Sequence, residues 1–349
     1  MTSQLKQSTR QRISNITPAY SGLFFKRCFQ LDNLTARIIE LSSGVYVIPA
    51  TTNVGVITNE SNSGIEVYLV DSGCTEIDGE YVFDVLKAFF EQLGQIFTLK
   101  AIITTHGHAD HCGAHIFLRE QTGCQVWAAK HEQGAMETPI IQSSVLWGGF
   151  PPHELRTLFF MPASTKVEHF ISKDDVIELS GGRKLSFIEL KGHSYEALGA
   201  IITTKNGHKI IFPGDNIFPR NEIMNHWIPL IMNPVEYMDS LDQLCALENV
   251  EWCIPSHGDF LKRNINEAAE LNKIAIISTR TSILDSLKSK KRLTVEEIVK
   301  YVADKNDMQL SLSQYMLVHS TIKSYIAVMH DARELRMEVD NNKLYFYLP

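Results

Sequence analysis

Cysteine is sparse: six residues in 349, at positions 28, 74, 112, 124, 245 and 253, with no Cys-x-x-Cys pair among them. That scatter excludes a dense disulfide framework and is the usage of a reducing compartment, with the cytoplasm as the expectation. No stretch reaches 18 apolar residues without a charge or a breaker, so no membrane-spanning helix and no membrane partner are expected. The polar opening Met-Thr-Ser-Gln-Leu-Lys lacks the apolar segment of a secretory leader. A basic excess is missing as well. The net charge of −7 makes nucleic-acid backbone a poor default partner. Glycine and proline, at 20 and 12, are too few for collagen or disorder, and 44% apolar residues suit a globular chain. At about 150 residues per domain, the length holds one large unit and one small one.

What is present is strongly ordered. Residues 1–35 are polar and weakly patterned apart from Phe24, Phe25 and Phe29, and read as an N-terminal extension. Short β-rich runs at 38–41, 45–49, 54–58 and 65–70 predict an antiparallel meander. Residues 80–93 space apolar side chains as an amphipathic helix, and 99–105 is a buried strand. A helix is expected from about His111, with His115 one turn along it, and a strand at 125–129. Residues 131–165 are irregular and aromatic-rich, as in a lid or binding insertion. Strands resume at 176–179, 184–190, 200–204 and 209–212, followed by helices at 235–248 and 264–287. The order β-rich then helical thus occurs twice, which fits an α+β sandwich of four layers, helix–sheet–sheet–helix. The run Lys288–Arg292 reads as a linker. Residues 286–349 then predict helices followed by a hairpin, a winged-helix-like module. From Asp285 to Pro349, ten Lys/Arg against nine Asp/Glu favour a packing or homodimer role over DNA binding.

The segment that carries chemistry is His106-Gly-His108-Ala-Asp110-His111, directly after a buried strand. Neutral imidazoles and a carboxylate suit Zn²⁺ and other first-row divalent metals. His106 and His108, two apart in an extended turn, reach one ion. Asp110 and His111, on the next turn, point towards a neighbouring one. Packing so many desolvated polar groups together has no stability rationale. Three further segments each place a ligand-type residue beside glycine at a strand end: Gly192-His193, Gly214-Asp215 and His257-Gly258. Cys112, beside His111, reads as a small helix residue. His153, His169 and His226 read as surface or lid positions.

With these motifs in this order, roughly residues 36–275 resemble the metallo-β-lactamase superfamily. Asp71, within Val-Asp-Ser-Gly, matches that family's early strand-end motif. The resemblance implies a catalytic unit over 36–285 and two divalent metal ions. His106, His108 and His193 would hold the first; Asp110, His111 and His257 the second; Asp215 would bridge both. Asp71 would orient a histidine through its free N–H. The all-His/Asp set is similar to hydroxyacylglutathione hydrolases and lactonases. Zn²⁺ is the first expectation, and iron and manganese also suit. One departure stands out: Ser194-Tyr195-Glu196 follows His193 where many relatives have a tight Pro-Gly turn.

Two such cations lower the pKa of a shared water and supply hydroxide near neutral pH. The expected activity is therefore metal-assisted hydrolysis, with Asp110 as both ligand and proton acceptor. The apolar insertion, with Trp147 and Phe150, is expected to wall a pocket that Tyr195 and His226 also line. That favours a small acyl substrate, a thioester, ester or lactone. Two alternatives are kept: a phosphodiesterase or endoribonuclease of the same fold, and a non-catalytic metal-binding regulator.

Overall fold

A computed structural model describes residues 34–349, so the expected N-terminal extension lies outside the described residues except for positions 34 and 35. Four strands come first: β1 (Ile39–Ser42), β2 (Val45–Pro49), β3 (Asn53–Ser61) and β4 (Gly64–Val70). Each pairs antiparallel with the next, as the short turns between them require. After β4 the chain crosses over through α1 (Glu76–Gln92) and returns as β5 (Phe97–Ile103), parallel to β4. The same manoeuvre through α2 (Ala109–Cys112) and α3 (His115–Thr122) adds β6 (Gln125–Ala128) in parallel. The insertion contributes α4 (Gln133–Glu137) and α5 (Ile140–Trp147) before β7 (His169–Phe170) closes a seven-stranded sheet in sequence order.

The second sheet has six strands: β8 (Val176–Leu179), β9 (Arg183–Glu189), β10 (Leu198–Thr203), β11 (Lys209–Phe212), β12 (Val250–Cys253) and β13 (Leu261–Lys262). Only β11–β12 is parallel, because α6 (Arg220–Asn225) and α7 (Pro234–Cys245) lie between them. The chain ends in α8 (Ile265–Ser289), α9 (Val295–Lys305), α10 (Leu312–Asp331) and the hairpin β14 (Arg336–Asp340) to β15 (Lys343–Tyr347).

Period-two alternation decides the layering. In β10, Ala200 and Ile202 face the other sheet and meet Val47, Ile57 and Ile103, whereas Ile201 faces the helices with Leu241 and Ile276. On the far side of the first sheet, Val56, Leu69 and Ile102 receive Val82, Leu86 and Phe90 of α1. The result is helix–sheet–sheet–helix. The boundary drawn at 285/286 falls inside α8, and one apolar core runs from Ile211 through Leu241 and Ile283 to Val299, Ile322 and Phe346. Among the described residues, no helix is long and apolar enough to cross a membrane.

Candidate metal centre

Five loops leave the C-terminal ends of β4, β5, β9, β11 and β12, and they carry Asp71, His106–His111, His193, Asp215 and His257. The helix after the β5 loop is broken. A Cβ at Gly113 would stand 1.8 Å from the carbonyl oxygen of Cys74, so the 72–74 backbone passes where a side chain would be. The His111 carbonyl accepts from Ser72 N at 2.9 Å instead of continuing the helix. His115 therefore belongs to the next helix rather than to that of His111.

His106, His108 and His193 form one group. His108 Nδ1 lies 2.9 Å from His106 Nε2 and 2.9 Å from His193 Nε2. Asp110, His111, Asp215 and His257 form the second. His257 Nε2 is 3.1 Å from Asp110 Oδ2 and 3.5 Å from Asp215 Oδ2. Asp215 stands between the groups, with Oδ2 also 3.6 Å from His193 Nε2. Within each group, one donor atom per residue lies within 4.8 Å of all the others. His111 Nε2 and Asp215 Oδ1 are 3.4 Å apart and buried, yet neither makes a hydrogen bond among the described residues. Buried orphans cost free energy unless something satisfies them, and the set is nitrogen and oxygen throughout. These residues are positioned to bind metal ions and suit first-row divalent cations.

The outward-facing nitrogens are tied down, which fixes the tautomers. His111 Nδ1 donates to Asp71 Oδ2 at 2.9 Å, and His193 Nδ1 donates to the Leu230 carbonyl at 2.8 Å. Such partners leave Nε2 as the free donor atom. Three supporting residues escaped the sequence reading. Glu132 is buried; its Oε2 accepts from Gly107 N at 2.8 Å, and its Oε1 accepts from Ser194 Oγ at 2.9 Å and Glu196 N at 3.0 Å. Asn53 donates to the carbonyls of Pro255 and Gly258, on either side of His257. Tyr237 donates its hydroxyl to the Asp215 carbonyl at 3.1 Å. In sequence, Asn53 marks only a turn, and Glu132 only a charge after a strand.

Charge divides the two groups. Burial pushes His108 and His193 down to about 4, and His106 falls well below its ordinary value for the same reason, aided by His111. The first group is therefore neutral, the form that ligates metal. In the second, burial opposes charge on Asp110 and Asp215, but the charges of His111 and His257 hold both below the usual carboxylate range. Burial likewise opposes a proton on His257, but Asp215 and Asp110 lift it to about 10. His111 also stands well above its ordinary value: burial acts against its proton, and Asp110, Asp215 and Asp71 outweigh it.

The remaining residues singled out from the sequence sit further out. Trp147, Phe150 and Tyr195 are 46%, 75% and 70% exposed. Phe150 carries the Arg156 guanidinium over its ring at 5.3 Å. Glu196 pairs with His131 rather than reaching the centre. His226 caps α6, is partly buried, and lies near enough to feel the charge of His257. Cys112 is buried with its thiol towards the Gly107 carbonyl.

Comparisons with known proteins agree with this architecture. A family model described as the Metallo-beta-lactamase superfamily matches residues 47–299. A β-lactamase domain protein from Burkholderia ambifaria superposes with a TM-score of 0.71 at 17% identity, covering 91% of this chain and 96% of that one. A metallo-β-lactamase family protein from Thermus thermophilus gives 0.67 at 16% identity, covering 89% and 100%. A hydroxyacylglutathione hydrolase of Rhodopseudomonas palustris (strain BisB18) is 27% identical over 160 residues, 46% of this chain and 49% of that one. The match thus spans about half the length of that relative.

Proposed function

Because the chain belongs to the metallo-β-lactamase superfamily, we propose that it is a metal-dependent hydrolase acting on an activated acyl carbonyl, a thioester, ester or lactone, of a small molecule. The observation that carries the proposal is the convergence of seven His and Asp side chains into two groups with Asp215 between them. His106, His108 and His193 would hold one divalent ion. Asp110, His111 and His257 would hold a second, with Asp215 reaching both, and Zn²⁺ is the expected metal. When bound, such ions supply Lewis acidity and lower the pKa of a coordinated water.

The chain's own residues do the rest. Asp71 and the Leu230 carbonyl keep His111 and His193 in the tautomer that offers Nε2 inward. Asp110, ionised and beside His257, accepts the proton that the attacking water loses. No serine or cysteine nucleophile is needed; the Cys112 thiol, next in sequence to His111, is turned to a backbone carbonyl. The acyl assignment draws support from a relative named for hydrolysing a hydroxyacyl conjugate of glutathione.

Two measurements test the proposal. Elemental analysis of protein purified without chelator should find about two transition-metal ions per chain. The reconstituted protein should then turn over a thioester or lactone in preference to an aryl phosphodiester and a short single-stranded RNA. A metal-dependent preference for phosphodiester or RNA would overturn the acyl assignment. Loaded protein inert on the whole panel would leave a metal-binding regulator.

A further inference from the structure

His193 depends on a peptide strap that belongs to no helix or strand. The strap runs through Pro229, Leu230 and Ile231, and the Leu230 carbonyl receives the histidine's Nδ1–H at 2.8 Å. Downstream, the strap is anchored where Met232 N and Asn233 N both donate to the Gly192 carbonyl, at 2.8 and 2.9 Å. At its centre it is gripped from the C-terminal module. Thr321 of α10, fully buried, accepts from Ile231 N at 3.1 Å and donates to the Pro229 carbonyl at 3.2 Å. One hydroxyl therefore satisfies the backbone groups on both sides of Leu230.

Packing reinforces the grip. Ile228 and Ile231 share a core with Ile322 and Tyr325 of the same helix. Five residues earlier in α10, Met316 packs with Leu155 and Phe160 of the insertion. Thr321 lies beyond the residues 47–299 that the family model matches. A helix outside the matched region thus reaches a residue of the centre through two consecutive hydrogen-bonded links.

We infer that the C-terminal module is a built part of the metal centre and that Thr321 is its positioning residue, setting the strap whose Leu230 carbonyl orients His193. The inference rests on reading His193 as a metal ligand. A ligand's outer partner fixes ring orientation and basicity, and its loss is felt in metal affinity. A threonine hydroxyl suits the task because it donates and accepts at once. Valine keeps the shape and does neither.

The test uses full-length protein, stripped of metal and titrated with Co²⁺, with the visible spectrum and the thermal midpoint both recorded. Thr321→Val should weaken the Co²⁺ equivalent that His193→Ala abolishes by roughly tenfold, the low end for an outer partner, and shift its d–d bands. Thr321→Ser, which restores the hydroxyl, should bring back wild-type affinity and bands. Thr321→Ala is the second variant, should Thr321→Val fold poorly, and should show the same loss. Thr279→Val removes an equally buried hydroxyl, bonded to the Ala275 carbonyl at 2.9 Å in α8 and also to Tyr325 of α10, so its thermal midpoint should fall while the Co²⁺ affinity and bands stay at wild type. Wild-type affinity and bands in Thr321→Val and Thr321→Ala would overturn the inference, as would an equal loss in Thr279→Val. Wild-type protein that takes up no cobalt would instead overturn the metal reading beneath it.

Discussion

Asp71 Oδ2 accepts the Nδ1–H of His111 at 2.9 Å, with both residues sealed from solvent. The same carboxylate accepts from Thr105 N at 2.8 Å and Thr105 Oγ1 at 2.9 Å, so it joins the end of β4 to the loop after β5. It does this from a left-handed backbone, φ 60°, which Asp and Asn tolerate better than branched residues. Asp71→Asn should therefore keep the loop and lose the charge behind His111. The expected loss is about 10–100-fold in metal affinity at the four-residue group, with the three-histidine group less affected. A two-step Co²⁺ titration separates the groups; two unchanged steps would show that Asp71 serves the backbone alone.

Glu132 supports the centre differently, by joining the His106–His108 loop to the His193 loop. Its carboxylate takes two backbone N–H groups and one hydroxyl in a buried setting. Glu132→Ala leaves those donors unpaired, at about 1–3 kcal/mol for each that water cannot reach. The metal-free variant should lose stability, read as a lowered denaturation midpoint, and Glu132→Gln should lose less because it still accepts. A midpoint within error of wild type in Glu132→Ala would remove Glu132 from the support of the site.

These two residues mark how much of the site could be read in advance. The metal-binding motif was legible because His106, His108, Asp110 and His111 are nearly contiguous, and because His193, Asp215 and His257 each stand beside glycine at a strand end. The four layers followed from apolar runs of strand and helix period. Glu132, Asn53 and Thr321 were not legible, since their partners arrive through tertiary structure from 25 to 205 residues away. The charged run Lys288–Arg292 reads as a linker because it is solvated. Yet α8 continues to Ser289, since Leu287 is still buried in the shared core. Trp147, at the end of α5, and Phe150, just beyond it, show the converse: aromatic composition alone does not set how deeply a ring is buried.

Protonation separates the two groups by pH. In the metal-free protein, His257 keeps its proton up to about 10 and His111 also stands above its ordinary value, while His108 and His193 stay neutral down to about 4. Near pH 7, loading the four-residue group must expel about two protons, and loading the three-histidine group almost none. Acidification from pH 8 to 6 should thus strip the four-residue group first, by up to about a hundredfold in affinity per pH unit. Calorimetry in two buffers of different ionisation enthalpy counts the protons, and a count near zero for both equivalents would contradict the assignment. The sign reverses for metal-free stability. His257 rises from an ordinary 6.5 to about 10. Its ion pairs therefore stabilise the fold fully below pH 6.5 and lose that contribution as pH climbs through 10.

Asp110 is the residue on which the proposed chemistry turns. Its carboxylate is held ionised by His111 and His257, and its Oδ2 lies 3.1 Å from His257 Nε2, at the edge of the four-residue group. Asn has the same shape and still offers an oxygen, but it cannot take a proton. Asp110→Asn should therefore cut turnover by about 10²–10⁴, the usual share of a general base. Metal content separates the two ways this could arise. If Asp110 mainly holds an ion, the variant purifies with fewer ions per chain, and added metal restores its rate. If it mainly accepts the proton, the variant keeps its ions and stays slow at saturating metal and substrate. We expect the second pattern to dominate, because His111, Asp215 and His257 remain in the group. The fall should appear in kcat and in kcat/KM alike, as befits an interaction realised only in the transition state. An Asp110→Asn protein with full metal content and wild-type kcat would assign the proton to another group, and Asp215, its carboxylate also beside His257, would be the next to test.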